Sequence, residues 1–592
     1  MTQPGDTIPH RLLDQAAKHP SAIAYQAKLD GRWLPTTWQT YAEQARTAAR
    51  ALLALGFPRH GKVAILGFNR PEWTILAHAA MMAGGAAAGI YTTCSASEVQ
   101  YIVHHSEAHV VLVEDAGQLA KLSELRDRMP LVRQVVLMRG TPAADGAIAW
   151  DDFLALGAPA HDPEVDARLA ALEPSGIASL IYTSGTTGPP KAVMLTHDNL
   201  AWTAQLVSDV FGGYAAGDTL LSYLPLSHIA EQMLSIHMTA TNGNQVYFAE
   251  SLDKVVDNMR EARPTIFFSV PRIWEKLHAS IAEKLAAQTG ARKQLIAWAR
   301  RVCTEVHARL DRGEPVPRVL RAQHALARRL VMTKLKTALG LDRARMLVSG
   351  AAPIAAEVLA FFASIDLPIR EVYGQSEDSG PTTINQAGAT KLGTVGPPLP
   401  GVEVKIAADG EVLVRGRNVF AGYFKEPEAT AEALQDGWLC SGDLGELDRQ
   451  GFLTITGRKK EIIITAGGKN ITPKNIEAAI KQLAVVSEAV VIGDRRKYLT
   501  ALITLDAAAA QKLAPGAAAL ASAPEIRAAV QRQIDEVNAH LARVEQVKKF
   551  TILERQLAIE TGELTPTLKI KRKVVAEHFA REIDAMYAEG EP

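Results

Sequence analysis

Apolar positions along this chain recur with two alternating periods. Tyr41 to Leu55 places alanine and leucine at helical spacing, and Val63 to Gly67 is a continuous apolar run. Glu72 to Met82 returns to the helical pattern, and His109 to Val113 is apolar again. Short apolar runs alternating with helical stretches predict helices packed on a mostly parallel sheet. The alternation resumes with strands expected at Ser179–Tyr182, Ala192–Leu195, Thr219–Leu224, Gln245–Phe248, Thr265–Val270, Arg345–Val348 and Ile369–Val372, and with a helix from His197. Residues 273–339 break the rhythm. Leu277, Ile281 and Leu285 open a stretch that reads as helix throughout, interrupted near Gly313, Pro315 and Pro317.

From Gly393 the pattern becomes short strands and tight turns. Beyond Gly457-Arg458-Lys459-Lys460 it predicts a strand Glu461–Thr465, a Gly467-Gly468 turn and a helix capped by Thr472 with Pro473 in its first turn. A strand pair across Ala489–Leu505, an alanine-rich helical stretch and a basic tail follow. The expected fold class is α/β. A large N-terminal domain (1–457) of mostly parallel sheets sandwiched by helices, with a β-barrel-like part, precedes a small mobile α+β lid (458–592).

At 592 residues the chain exceeds one hydrophobic core. Its 64 basic and 64 acidic residues balance, so neither nucleic acid nor an acidic partner is implied globally. Cys94, Cys303 and Cys440 have no metal-ligand spacing, which points to a reducing compartment. No basic-then-apolar leader and no strongly apolar run of about 18 residues is present, so a cytoplasmic protein is expected.

The densest chemistry lies in Ile181–Thr196, where Thr183, Ser184, Gly185, Thr186, Thr187 and Gly188 precede Pro189, Pro190 and Lys191. Glycines permit close backbone approach, and hydroxyls and amides donate to anions, which suits phosphate oxygens. The Walker pattern is absent. Three further stations follow. Tyr373-Gly374-Gln375-Ser376-Glu377 sits after a predicted strand, where open α/β sheets place ligands. Ser349-Gly350-Ala351-Ala352-Pro353 reads either as a small-residue pocket or as a tight helix–strand contact. Asp443, in DGWLCSGD, is able to accept two hydrogen bonds.

Together these stretches resemble the AMP-forming, adenylate-making enzymes, a family of acyl-CoA synthetases, aryl-CoA ligases, luciferases and peptide-synthetase adenylation domains. The wording FFSVPRIWEKL, EIIITAGGKN and GELTPTLKIKRK is most similar to the bubblegum-type long- and very-long-chain fatty acyl-CoA synthetases. The resemblance implies that ATP, a fatty acid and CoA are substrates, with Mg²⁺ accompanying ATP. It places Thr183–Gly188 and Lys191 on the phosphates, and Gly350, Ala351 and Ala352 against adenine. Tyr373, Gly374, Gln375 and Ser376 close over AMP, Ser376 standing where threonine is usual. Glu377, with Thr183, is assigned to Mg²⁺, Asp443 to the ribose hydroxyls, and Arg458 to ribose or phosphate.

Lys460 matches the hinge, and Gly467, Gly468, Lys469 and Asn470 the CoA-facing turn. Lys569 reads on spacing alone as part of a solvated basic tail; the resemblance makes it the catalytic lysine. His228, in LPLSHIAE, reads either as a residue of the acyl half of the site or as a core histidine. A carrier-protein-loading acyl-AMP ligase and a silent acyl-lipid binder are the rival readings.

Charge is uneven locally. Residues 291–345 carry 14 Lys and Arg against 4 Asp and Glu. That excess reads either as a solvated helix face or as a patch meeting anionic lipid on the inner face of a membrane, or the phosphates of CoA. A monomer and a homodimer both remain open.

Overall fold

The computed structural model describes residues 6–123, 125–142, 146–183, 189–213, 217–466, 469–565 and 569–588. Two large, mostly parallel sheets form the N-terminal part. The first has seven strands in the order Ala147–Ala149, Gln134–Leu137, Ala108–Val113, Lys62–Leu66, Ala86–Ile90, Ile177–Thr183 and Lys191–Thr196. Only its last pair is antiparallel. Its central strands are apolar at nearly every position, as parallel strands covered on both faces must be. The second has eight strands, running Thr383–Ile384, Ile369–Tyr373, Met346–Ser349, Ile266–Ser269, Thr219–Ser222, Gln245–Phe248, Ile23–Leu29 and Arg32–Thr37. Helices such as Trp38–Ala54 and Pro71–Met82 are buried between the layers.

The barrel-like part is an open five-stranded antiparallel sheet, built from Glu403–Ile406, Glu411–Arg415, Leu434–Gln435, Trp438–Leu447 and Leu453–Arg458. The C-terminal residues build a separate apolar cluster on Val486–Ile492, Leu499–Leu505 and Val547–Ile552, backed by Pro524–Ala539.

Two local expectations change. The strand expected over Glu461–Thr465 begins as a short 3-10 turn, Lys459–Glu461, and only Ile463–Ile464 pairs, with Asn470–Ile471. Thr472 precedes helix Pro473–Ile480 but makes no side-chain cap. Its side chain packs instead against Gly457, where an added Cβ would lie 2.6 Å from Thr472 Cγ2.

The helical segment comprises Pro271–Ala286, Gly290–Asp311, Arg318–Ala327, a π-helical turn Arg328–Met332 and Thr333–Leu339. It is pinned by Asp366, a buried residue in left-handed backbone (φ 62°). Asp366 Oδ1 accepts from His307 Nε2 at 3.0 Å and His324 Nε2 at 2.9 Å. Its Oδ2 pairs with Lys336 at 3.0 Å and Arg328 at 3.2 Å. Burial acts to raise the Asp366 pKa, but these donors outweigh it and hold the carboxyl far below the usual range. Cys303 lies close enough to complete a thiol–imidazole–carboxylate trio. With both Asp366 oxygens already held by cations and imidazoles, the trio is an ionic hub rather than a vacant ligand set. Part of the basic excess of the segment is therefore consumed internally.

Candidate functional site

Strand Ile369–Tyr373 delivers Tyr373 to a cleft bordered by the five-stranded sheet. Tyr373 Oη donates to Asp443 Oδ2 at 2.9 Å, and Arg458 Nε donates to Asp443 Oδ1 at 2.8 Å. The second contact follows from antiparallel register, which sets Asp443 opposite Arg458. Both carboxylate oxygens thus hold protein donors. Gln375 Nε2 donates to Ser441 O at 3.2 Å. Gly374 passes so near Gly380 that a Cβ would fall 1.6 Å from its carbonyl oxygen, so only glycine fits. Ser376 is buried and opens a short 3-10 turn, Ser376–Asp378.

Glu377 Oε1 accepts from Tyr423 Oη at 2.9 Å. The Lys191 ammonium lies over the Tyr423 ring, 5.1 Å from its centroid. The 421–424 segment runs along the hairpin strand Lys191–Thr196, through Met194 N to Gly422 O at 3.0 Å and Phe424 N to Ala192 O at 2.8 Å. One aromatic side chain therefore touches both the acid and the loop lysine. Thr183 stands opposite Lys191 in the hairpin register. Ser184, Gly185, Thr186, Thr187 and Gly188 lie outside the described residues.

Lys569 joins the same cleft from the C-terminal part. Its backbone is held by Thr565: Lys569 N donates to Thr565 Oγ1 at 3.0 Å and Thr565 N donates to Lys569 O at 2.7 Å. The ammonium keeps solvent access, yet protein encloses it on most sides. That enclosure, then the charges of Arg458 and Lys474, lowers its pKa to about 8, against the opposing pull of Asp443 and Glu377. His228 feels the same ammonium. Enclosure first and Lys569 second bring the imidazole down to about 4. His228 Nδ1 accepts from Ala230 N at 3.2 Å, which leaves the neutral ring its proton on Nε2.

Gly350 is buried against Val372, whereas Ala351 (φ 67°) and Ala352 form an exposed turn after strand Met346–Ser349. Lys460 is exposed beside Lys459, which is tethered to Asp409 at 2.6 Å and Glu411 at 2.8 Å. Lys469 is exposed, its backbone paired with Thr465, and Asn470 is paired with Ile464. Gly467 and Gly468 lie outside the described residues. The cleft thus gathers Tyr373, Glu377, Asp443, Arg458, Lys569, His228, Thr183 and Lys191.

Sequence reading missed four residues that support this cleft. Tyr423 carries Glu377 and faces Lys191. Asp378 is fully buried, accepts from Gln375 N at 2.7 Å and from the Thr382 hydroxyl, and is pushed up to about 8 by burial. Glu371 alternates onto the same strand face as Tyr373. Its Oε2 has no partner among the described residues, and burial pushes it up to about 8. Glu563, wholly buried, bonds Arg555, His578 and Thr561, and its backbone oxygen accepts from Lys571 N, two residues after Lys569, at 2.7 Å. A carboxylate two residues before Tyr373, on the same face of the strand, was the available signal for Glu371.

The Arg555 contact leads in lowering Glu563 to about 2, with burial opposing and His578 assisting. Its contribution to stability is complete above the unfolded pKa of about 4.3 and is lost as pH falls through about 2. Melting temperatures measured from pH 2 to 6 are expected to fall across that window in the native protein. Glu563→Gln is expected to flatten that part of the curve.

A profile of the family described as AMP-binding enzyme matches residues 12–424, and one described as AMP-binding enzyme C-terminal domain matches residues 460–591. The chain is 37% identical to the long-chain-fatty-acid–CoA ligase ACSBG2 of Xenopus laevis, over 98% of this chain and 83% of that protein. It is 39% identical to the long-chain-fatty-acid–CoA ligase FadD15 of Mycobacterium tuberculosis, over 98% of this chain and 97% of that one. Among solved structures, the A domain of carboxylic acid reductase from Segniliparus rugosus, in complex with AMP and a co-purified carboxylic acid, superposes with a TM-score of 0.73. That match has 20% identity and covers 99% of this chain and 95% of that one.

Proposed function

This chain belongs to the AMP-binding enzyme family, and on that premise we propose that it ligates a long-chain fatty acid to coenzyme A in two half-reactions, through an acyl-adenylate. The observation that carries the reading is the convergence of Tyr373 and Arg458 on Asp443 beside the Glu377–Tyr423–Lys191 chain of contacts, with the Lys569 ammonium within electrostatic reach of Asp443 and Glu377. In the first half-reaction a carboxylate oxygen attacks the α-phosphorus of ATP, the bond to the β-phosphate oxygen breaks, and pyrophosphate leaves. Two anions must meet, and the Lys569 ammonium lowers their repulsion. Asp443 exchanges its protein donors for the ribose hydroxyls, with Arg458 close by. Lys191 and the 183–188 loop receive the departing phosphates, and Gly350–Ala352 and Tyr373–Ser376 border the base and the α-phosphate. His228, neutral and carrying its proton on Nε2, orients the fatty carboxylate.

Glu377 carboxylate and Thr183 hydroxyl oxygens are hard donors that fit Mg²⁺, held with ATP. Bound there, the ion supplies charge neutralisation for the phosphates.

In the second half-reaction the CoA thiolate attacks the acyl carbonyl carbon, the carbon–oxygen bond to AMP breaks, and AMP leaves. The domain boundary falls at 457/458. The part beyond it turns about Lys460, withdrawing Lys569 and presenting Gly467, Gly468, Lys469 and Asn470 to the pantetheine arm. The tether of Lys459 to Asp409 and Glu411 leaves its exposed neighbour as the first residue able to swing.

The test is pyrophosphate release with C8 to C24 fatty acids, with and without CoA. Continuous turnover only with CoA, peaking at long chains, is expected. A single burst of bound acyl-AMP with CoA unused would refute the ligase assignment.

Tyr423→Phe deletes a hydrogen bond to a charged acceptor. It is expected to raise the KM for MgATP about tenfold, with the fatty-acid KM unchanged, as measured in the same assay.

A further inference from the structure

Helix Arg318–Ala327 and its π-helical continuation Arg328–Met332 show an unusual division of faces. The inner face is tied down. Ala327 and Met332 are fully buried, and His324 and Arg328 bond Asp366. The outer face is apolar where water would favour polar side chains. Val319 is 71% exposed, Leu326 48% and Leu330 43%, and all three project from one side of the helix at spacings of seven and four residues. Arg318 and Arg329 lie along one edge of this stripe, with Arg321 further round the helix, and all three are exposed. Between 318 and 332 there are four arginines and no acidic residue.

A helix with branched aliphatic side chains outward and only basic charge on its own turns fits the boundary between headgroups and acyl chains of an anionic bilayer. A second copy of the chain fits poorly, because opposed arginine-rich faces repel. Among the described residues no helix is long and apolar enough to cross a membrane, so the contact is superficial. We infer that the 318–332 helix docks this protein on an anionic lipid surface, with Val319, Leu326 and Leu330 entering the acyl layer and Arg318, Arg321 and Arg329 meeting lipid phosphates. The docking stands on exposure and charge and does not depend on which acid the cleft ligates.

The experiment is vesicle flotation of the full chain, with phosphatidylcholine vesicles either pure or containing phosphatidylglycerol. The native chain is expected to float with the anionic vesicles at low salt and to be released as salt rises. The triple variant Val319→Ser, Leu326→Ser, Leu330→Ser is expected to lose about tenfold or more of that binding. Arg318→Gln, Arg321→Gln, Arg329→Gln is expected to lose the preference for anionic over zwitterionic vesicles. Melting temperature and activity on octanoate, a soluble acid, report separately on folding and on the ligase, and the single variant Val319→Ser repeats the test should a triple variant melt early. Equal flotation of native chain and serine variant would overturn the inference. So would a native dimer, seen by sedimentation, that the serine variant dissolves, or binding to an acidic protein with none to vesicles.

Discussion

Lys569→Ala is expected to slow acyl-adenylate formation by about 10²–10³-fold, the usual cost of removing one preorganised charge stabiliser. Thioester formation from preformed acyl-adenylate is expected to stay within a few-fold of native. The asymmetry is the informative part. Lys569 lies within electrostatic reach of Glu377, Asp443 and Arg458; in the proposed mechanism it bridges carboxylate and α-phosphate, and the turn about Lys460 removes it before CoA acts. Rapid-quench measurement of each half-reaction separates them, and equal loss in both would sink the role. The lowered pKa adds a second signature. The ammonium is protonated below about 8, so kcat/KM for adenylation should decline as pH rises through that value. Lys569→Arg, whatever activity it retains, should lack that limb.

Asp443→Ala is expected to raise the KM for ATP by about 10²-fold, more than any other single change on the nucleotide side. A charged acceptor is worth about 1.5–3 kcal/mol per hydrogen bond, and this residue is assigned two. The loss is smaller than the sum because Tyr373 and Arg458 already occupy both oxygens, so nucleotide binding replaces bonds rather than adding them. Tyr373→Phe, which frees Oδ2, should therefore cost much less than Asp443→Ala. Isothermal titration with a non-hydrolysable ATP analogue measures both, and comparable losses would show that Asp443 does not carry the ribose.

The sheets were legible because apolar runs such as Val63–Gly67 and His109–Val113 are bounded by clear helical stretches, and burial on both faces left little ambiguity. Asp443 and Glu377 were legible as candidates because a carboxylate at a strand end or glycine turn stands out. Lys569 was not legible from its surroundings; in LKIKRK every basic residue looks alike, and only resemblance singled it out. Tyr423 was invisible because its value lies in two contacts far away in sequence, with Glu377 and with Lys191. Asp366 was invisible for the opposite reason. Its four partners are spread over three helices and a π-helical turn, and each alone looks like a surface charge. Thr472 misled because a hydroxyl before Pro473 reads as a cap, while the bare α-carbon of Gly457 offered it a better packing partner.

Arg272, in the first turn of helix Pro271–Ala286, reaches across to Ser487 O at 3.5 Å and Glu488 at 3.7 Å. That helix shares one apolar cluster with Ala299, Val302 and Ala327, so it packs together with helices Gly290–Asp311 and Arg318–Ala327. The proposed rotation of the C-terminal part breaks this long ion pair, whose Glu488 also bonds Lys481. Salt screens this contact, so raised ionic strength is expected to weaken the hold of the helical segment on the C-terminal part.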